Sequence, residues 1–468
     1  MTSNVSTPPN ILLIHADQHR YDCVGCNGHP LLQTPNLDRL AAEGVNFTHA
    51  FCPIPLCAPS RTSLLTGVWP VQHGCIANAG TEAGATVRPQ LTTFSQVLRQ
   101  AGYALSYIGK WHEAGRTPLD YGFDHYVAER DYGAWRQGQG LPPRPQQNRW
   151  FGEVDPYITP AQSRLAWGAQ QAMAALEAAS VQAQPFFIRW DPGEPHLPNV
   201  VPEPYASLYP PAQIAPWPSF PDRLCNKPFI QQQQRRTWGL ADWTWADWAP
   251  IVSRYLGEIT LLDHQIGRVL ARLDALGLAE NTLVIYAADH GDLCGGHGMI
   301  DKHFVMYEEL VRVPLILRWS AGLPAGLRND GFVCAALDLA ATFCDAARME
   351  APAHFVGQSL LPIARGEQSS QRRHAFASYH GNQFGLYSQR MVRDRRWKLV
   401  WNATAEDELY DLESDPGELT NLAGASECAD VLADLRQNLV AWMDEINDPL
   451  LNEWTRRQLI LQTTIPQT

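Results

Sequence analysis

The sequence predicts an α/β fold: a large, mainly parallel sheet flanked by helices, followed by a small C-terminal α+β subdomain with a short antiparallel sheet. Three observations point there. Four short apolar runs, each bounded by turn-forming residues, read as strands buried on both faces. Helical patterns lie between them, and strands alternating with helices imply parallel pairing through right-handed crossovers. After about Gln368 the pattern changes to closely spaced short strands and a last helix.

The first run, Asn10–Ala16 (NILLIHA), ends in Asp17-Gln18. A helix is predicted over Thr34–Glu43, with Pro35 near its start and Gly44 past its end. In CAPSRTSLLTG (57–67), Pro59 suits the first turn of a helix and Gly67 its stop, so Cys57 falls at a helix N-terminus. A helix over Leu91–Gln100 closes at Gly102, and the run Ala104–Gly109 ends in Lys110-Trp111-His112. An alanine-rich helix over Ala161–Ala178 precedes Pro185–Trp190, which leads through Asp191-Pro192-Gly193 to Glu194-Pro195-His196. Arg254–Leu276 has helical spacing, and Thr282–Ala288 ends in Asp289-His290-Gly291-Asp292. Residues 128–150 and 200–250, rich in Pro, Gln and Trp, read as long loops over the edge where these ends collect. Beyond them, HAFASYH, GLYSQRMVRD, RWKLVWN and DELYDL read as strands and Cys428–Ile446 as a helix. The expected division is 1–367 for the main α/β domain and 368–468 for the C-terminal subdomain.

Composition narrows the function. With 468 residues and 45% hydrophobic content the chain can bury a large interior. A net charge of −12 disfavours nucleic acid or an anionic membrane as partner. The start lacks a basic n-region, the run Ile11 to Ile14 is too short for a signal peptide, and no apolar window reaches membrane-spanning length. A soluble, cytoplasmic protein is expected. Ten irregularly spaced cysteines do not form a disulfide framework, and the lone Cys23/Cys26 pair does not read as a zinc site.

In parallel sheets, ligands gather outside the carboxyl ends of the strands, and all four runs hand ionisable groups to that edge. Asp17, Gln18, Asp289 and His290 offer three oxygens and an imidazole, a set suited to calcium, magnesium or manganese rather than zinc. Two such aspartates on neighbouring strand ends favour metal over simple helix capping. Cys57, at a helix N-terminus, sits in a field that attracts anions and lowers a thiol pKa, with Arg61 one turn on. A nucleophilic cysteine and a small buried hydrophobe at a helix start remain equal readings on these grounds.

The pentapeptide Cys57-Ala58-Pro59-Ser60-Arg61, with Thr66-Gly67, resembles the signature of type I, formylglycine-dependent sulfatases of the alkaline phosphatase superfamily. The resemblance continues through TPNLDRLAAEGVNFTHAF (34–51), GKWH (109–112), PHLP (195–198), ADHGDLCGGHGMIDKHFVMYEELVRVPL and DELYDLESDPGELTNL (407–422), so it covers nearly the whole chain. It implies an alkaline phosphatase-like fold and hydrolysis of a small-molecule or saccharide sulfate monoester to sulfate and an alcohol. It further implies that a formylglycine-generating enzyme oxidises Cys57, whose hydrated diol then attacks sulfur. The metal ligands would be Asp17, Gln18, Asp289, His290 and residue 57 itself. Arg61 would orient the diol, Lys110 and Lys302 would bind the sulfate, His112 would assist release, and His196 would protonate the leaving alcohol. His73 and Asn78, just past the signature helix, are candidate pocket residues.

Gln18 and His290 depart from many sulfatases, which carry a second aspartate and an asparagine there. Calcium remains the expected cation, with manganese or magnesium the alternatives. The same departures resemble phosphonate monoester hydrolases, so phosphonate monoester or phosphodiester hydrolysis is the alternative. A noncatalytic anion-binding protein with unmodified Cys57 is the third reading. Trp135, Trp150, Trp238, Trp243, Trp245 and Trp248 fall in the predicted loops, where they serve as apolar pegs or oligomer contacts more often than as ring-stacking faces.

Overall fold

The computed structural model of the protein describes residues 7–78, 88, 90–112, 116–381 and 387–461. Among them the main sheet has β1 (Asn10–Ala16), β2 (Val45–Phe47), β3 (Ala104–Gly109), β4 (His125–Ala128), β5 (Phe186–Asp191), β6 (Thr282–Ala288), β7 (Leu315–Arg318) and β8 (Leu327–Asn329). Their order is β8-β2-β7-β6-β1-β5-β3-β4. The four apolar runs are thus four adjacent strands, β6-β1-β5-β3, all parallel. Only β7 runs antiparallel to its neighbours.

The helices that frame the sheet are α1 (Pro35–Ala42), α2 (Cys57–Thr66), α3 (Phe94–Gln100), α4 (Asp131–Gly138), α5 (Arg164–Ser180), α6 (Phe229–Thr237), α7 (Trp245–Ala275) and α8 (Ala335–Ala346). Six of them pack in two groups, α1 with α5 and α7, and α8 with α2 and α3. Every residue of β6, and all of β1 after Asn10, is buried. Continuous apolar strands therefore need cover on both faces, with each buried Leu, Ile or Val contributing about 1.5–3 kcal/mol.

Two segments expected to be loops contain helices. α4 lies in 128–150, and 200–250 holds α6 and the first turns of α7. Pro250 makes Arg254 look like the earliest helical residue, yet Thr244 and Asp247 form a capping box that starts α7 at Trp245. Pro250 is carried inside the helix near its beginning. Trp245 and Trp248 are accordingly helical, and Trp248 is fully buried.

The C-terminal part is an antiparallel sheet of β9 (Ala375–His380), β10 (Ser388–Arg393), β11 (Trp397–Asn402) and β12 (Glu408–Asp411), followed by α9 (Ala429–Glu445). Leu399 and Trp401 of this sheet cluster with Leu435, Leu439 and Trp442 of α9 and with Trp69, Val71, Cys334 and Leu337, whereas Ala377, Tyr379, Met391 and Val400 belong to the main core. All ten cysteines are free thiols. No helix among the described residues is long and apolar enough to cross a membrane.

Candidate active site

The site begins with strand register. β1 and β6 pair Ala16 with Ala288, so the next residues, Asp17 and Asp289, leave adjacent strand ends side by side. β3 and β5 pair Gly109 with Asp191, which delivers Lys110 to the same edge. Gly109 has φ 109°, and a Cβ there would lie 2.0 Å from the Asp191 carbonyl oxygen; only glycine allows this approach.

α2 supplies Cys57 at its first position. No side chain of its N-cap residue, Leu56, closes the helix start; instead Asn78 Oδ1 accepts from the Ala58 N–H at 3.0 Å. Gly67 ends the helix at φ 67°. All ten residues of α2 are buried, and Ser60 Oγ donates to the Asp289 carbonyl at 2.8 Å, pinning the helix to the sheet edge.

Around Cys57 the expected residues converge. Its sulfur lies 3.2 Å from His290 Nε2, 3.6 Å from Asp17 Oδ1 and 3.8 Å from Lys110 Nζ. Burial pushes the thiol pKa up, but Lys110, Lys302, His290 and a hydrogen bond from His112 outweigh it and hold the thiol well below its ordinary value. His112 Nδ1 is itself buried without a hydrogen-bond partner. Lys110 Nζ meets Asp17 Oδ2 at 2.6 Å. Burial and the Cys57 charge oppose ionisation of Asp17, yet Lys110 and Arg61 prevail and its carboxyl stays below the usual range.

Lys302 joins the cluster. Its ammonium donates to Gln18 Oε1 at 2.8 Å and Asp301 Oδ1 at 3.0 Å, and lies 3.0 Å from His196 Nε2. Gln18 is held tightly, its amide nitrogen donating to Asp292 and Asp301 at 2.7 and 2.9 Å. Its carboxamide oxygen is thus shared with Lys302, whereas Asp17, Cys57, Asp289 and His290 present ligand atoms within 4.8 Å of one another, all buried. Two carboxylates, an imidazole and residue 57 in a buried cluster fit a divalent cation.

Arg61 reaches the site through its carboxylates. It bonds three carboxylates, with Nε to Asp289 and Nη2 to Asp17, both at 2.9 Å, and Nη1 to Asp191. It clamps the carboxylates beside residue 57. His73 differs from a pocket residue: Nε2 pairs with Ser63 Oγ at 3.0 Å and Nδ1 accepts from the Cys75 N–H at 3.1 Å, so both ring nitrogens serve the fold. Asn78 caps α2, as described above.

Asp191 is the site residue that sequence reasoning passed over. Fully buried, it accepts from Arg61, twice from Arg189 at 2.7 Å, and from the Tyr107 hydroxyl at 2.8 Å. The available signal was its position directly after the apolar run Pro185–Trp190, the same grammar that singled out Asp17 and Asp289.

A family model described as Sulfatase matches residues 9–349, and one described as N-sulphoglucosamine sulphohydrolase, C-terminal, matches 295–445. An uncharacterized sulfatase, YidJ, of Escherichia coli is 31% identical, covering 96% of this chain and 90% of that protein. An arylsulfatase of Clostridium perfringens is 29% identical, covering 92% of this chain and 94% of its own length. The solved phosphonate monoester hydrolase of Agrobacterium radiobacter is similar with a TM-score of 0.82 at 27% identity, covering 94% of this chain and 96% of that one.

Proposed function

The chain belongs to the sulfatase family and is a sulfuric ester hydrolase, and we propose that it hydrolyses sulfate monoesters at residue 57, with Cys57 oxidised to formylglycine and a divalent cation beside it. Asp17, Asp289, His290 and residue 57 would hold the cation, and Gln18 would join them by giving up its contact with Lys302. Calcium is the first choice, and manganese or magnesium the alternatives that a nitrogen donor admits. Together the cation and the hydrated aldehyde supply a hydroxyl nucleophile at neutral pH and positive charge for the sulfate.

The chain's own residues do the rest. Arg61 holds the Asp17 and Asp289 carboxylates in place. Lys110 and Lys302, whose charges both act on Cys57, would put two cationic donors where sulfate oxygens gain charge. His196, whose Nε2 lies 3.0 Å from the Lys302 ammonium, would pass the proton held by this pair to the departing alcohol. His112, which follows Lys110 and Trp111 at the end of β3, would take a proton from residue 57 when sulfate is released.

The observation that carries this reading is the convergence on the Cys57 sulfur of His290, Asp17 and Lys110, from three strand ends, within 3.8 Å. Peptide mass spectrometry across residue 57, run on protein expressed with a formylglycine-generating enzyme and assayed with an aryl sulfate, tests it. An unmodified thiol in fully active protein overturns the aldehyde. Chelation followed by add-back of calcium, manganese or magnesium identifies the ion.

Phosphonate monoester hydrolysis stands as a second reading, favoured by the TM-scores of 0.82 and 0.81 to two phosphonate monoester hydrolases. The ratio of kcat/KM for an aryl sulfate to that for an aryl phosphonate monoester decides between them.

A further inference from the structure

His196 and Lys302, the pair on the leaving-group side, each carry an aromatic segment with them. Just past His196, Gly152 packs against the Asn199 backbone, and Glu153 pairs in parallel with Val200. The segment bearing Trp150 is thereby fixed to the loop that holds His196. On the other side, Gln234 of α6 donates to the Lys302 carbonyl at 2.8 Å, and Trp238 closes that helix. The two segments meet: Trp150 and Trp238 stand edge to face, ring centroids 6.2 Å apart. Beneath them Leu197 and Ile300, sequence neighbours of the two catalytic groups, share one apolar cluster with Trp248, against which Phe151, Trp238 and Trp243 pack.

The other four tryptophans of the predicted loops are committed elsewhere. Trp248 is buried, Trp243 packs on Phe151 and Trp248, Trp245 donates to the Ile214 carbonyl, and Trp135 stacks on Tyr132. Trp150 is 51% exposed, and Trp238 is only partly buried. Arg149, Arg235 and Arg236 flank this pair in sequence, which disfavours a cationic guest and suits a neutral or anionic one.

We propose that Trp150 and Trp238 form the leaving-group subsite, a shelf that takes sulfate esters whose alcohol presents a ring face, either an aromatic ring or the C–H face of a pyranose. The inference rests on the sulfatase reading for its position, since His196 and Lys302, the groups assigned to the ester, are tethered to the two segments that carry Trp150 and Trp238. Ring stacking supplies affinity without hydrogen bonds, so the shelf selects shape rather than one sugar.

Calorimetry on metal-loaded Cys57→Ala protein tests this without turnover. Against that background, Trp150→Ala and Trp238→Ala should each weaken binding of 4-nitrophenyl sulfate or glucosamine 6-sulfate about three- to tenfold. Choline sulfate, which has no ring, should change less than about twofold, and Trp→Phe should restore most of the loss. Loss confined to one ring type supports the shelf and names its ring. Equal loss for choline sulfate, or no loss for either ring ester, overturns it. Wild-type enzyme that turns over no sulfate ester while the ring-specific binding loss persists would refute the sulfatase reading and leave the shelf standing.

Discussion

Replacing Asp191 by asparagine tests the carboxylate–guanidinium clamp that sets the active-site edge. Asp191 is buried with two guanidinium groups, a tyrosine hydroxyl and His15 around it, the last at 3.5 Å. Burial opposes its charge, but Arg189 and Arg61 prevail and hold its carboxyl well below the usual range. Asparagine keeps the volume and one acceptor, yet its amide nitrogen must face a donor. Arg61 retains Asp17 and Asp289, so the damage falls on Arg189, whose Nη1 already lacks a partner. Leaving one guanidinium buried without its anion costs about 3–5 kcal/mol, and the surviving acceptor puts Asp191→Asn near the lower end. Equilibrium unfolding in guanidinium chloride, followed by tryptophan fluorescence and circular dichroism, reads the loss. The double variant Arg189→Leu/Asp191→Asn removes both charges and should recover at least half of it. A loss below about 1 kcal/mol, or no recovery in the double variant, would refute the clamp. The contribution of Asp191 is present above its unfolded pKa of 3.8 and disappears as pH falls through the depressed folded value, so the effect should be complete at pH 7.

Other consequences can be checked in parallel. Cys57→Ala should abolish turnover, by at least a thousandfold, while circular dichroism and the melting temperature stay near wild type, because a helix-start alanine fits the same space. Gly109→Ala should cost about 2–5 kcal/mol in denaturant titrations and cut activity with it, since its Cβ collides with the Asp191 backbone and displaces Lys110. Glu258 bonds Asn199 at 2.7 Å and lies 4.0 Å from Arg144; burial and the nearby Glu194 raise its pKa to about 8 despite Arg144 and Arg164. A carboxyl whose folded pKa is raised binds its proton more tightly when folded, so stability falls as pH climbs from 4.5 to about 8. Glu258→Gln should flatten that fall, gaining on the order of 1–3 kcal/mol at pH 8 and little at pH 5 in urea unfolding curves.

The sheet's centre was legible because its strands are long, uniformly apolar and sharply ended. The predicted bounds of β1, β3 and β6 are the observed ones. Its margin was not: β2 and β8 have three residues each, too few for a period, and exist through pairing with β7 and with each other. α6 was hidden by a run of glutamines whose helicity depends on burying Gln231 and Gln234 against Glu408 and the Lys302 backbone. The residues gathered around Cys57 were named in advance, but their mutual contacts were not. Arg61 turned out to grip three aspartates, and His73 to brace α2, because local sequence does not reveal which partner a long or bifunctional side chain reaches.

The complete burial of α2 has a temporal consequence. Once the chain has folded, no other protein can grasp residues 57 to 61, since the helix that contains them is sealed between the sheet edge and its neighbours. The proposed oxidation must therefore happen while this stretch is still extended, during or soon after synthesis. A molecule that folds first is sealed as an inert thiol, so adding the modifying enzyme to native protein should recover no activity, whereas unfolding and refolding in its presence should.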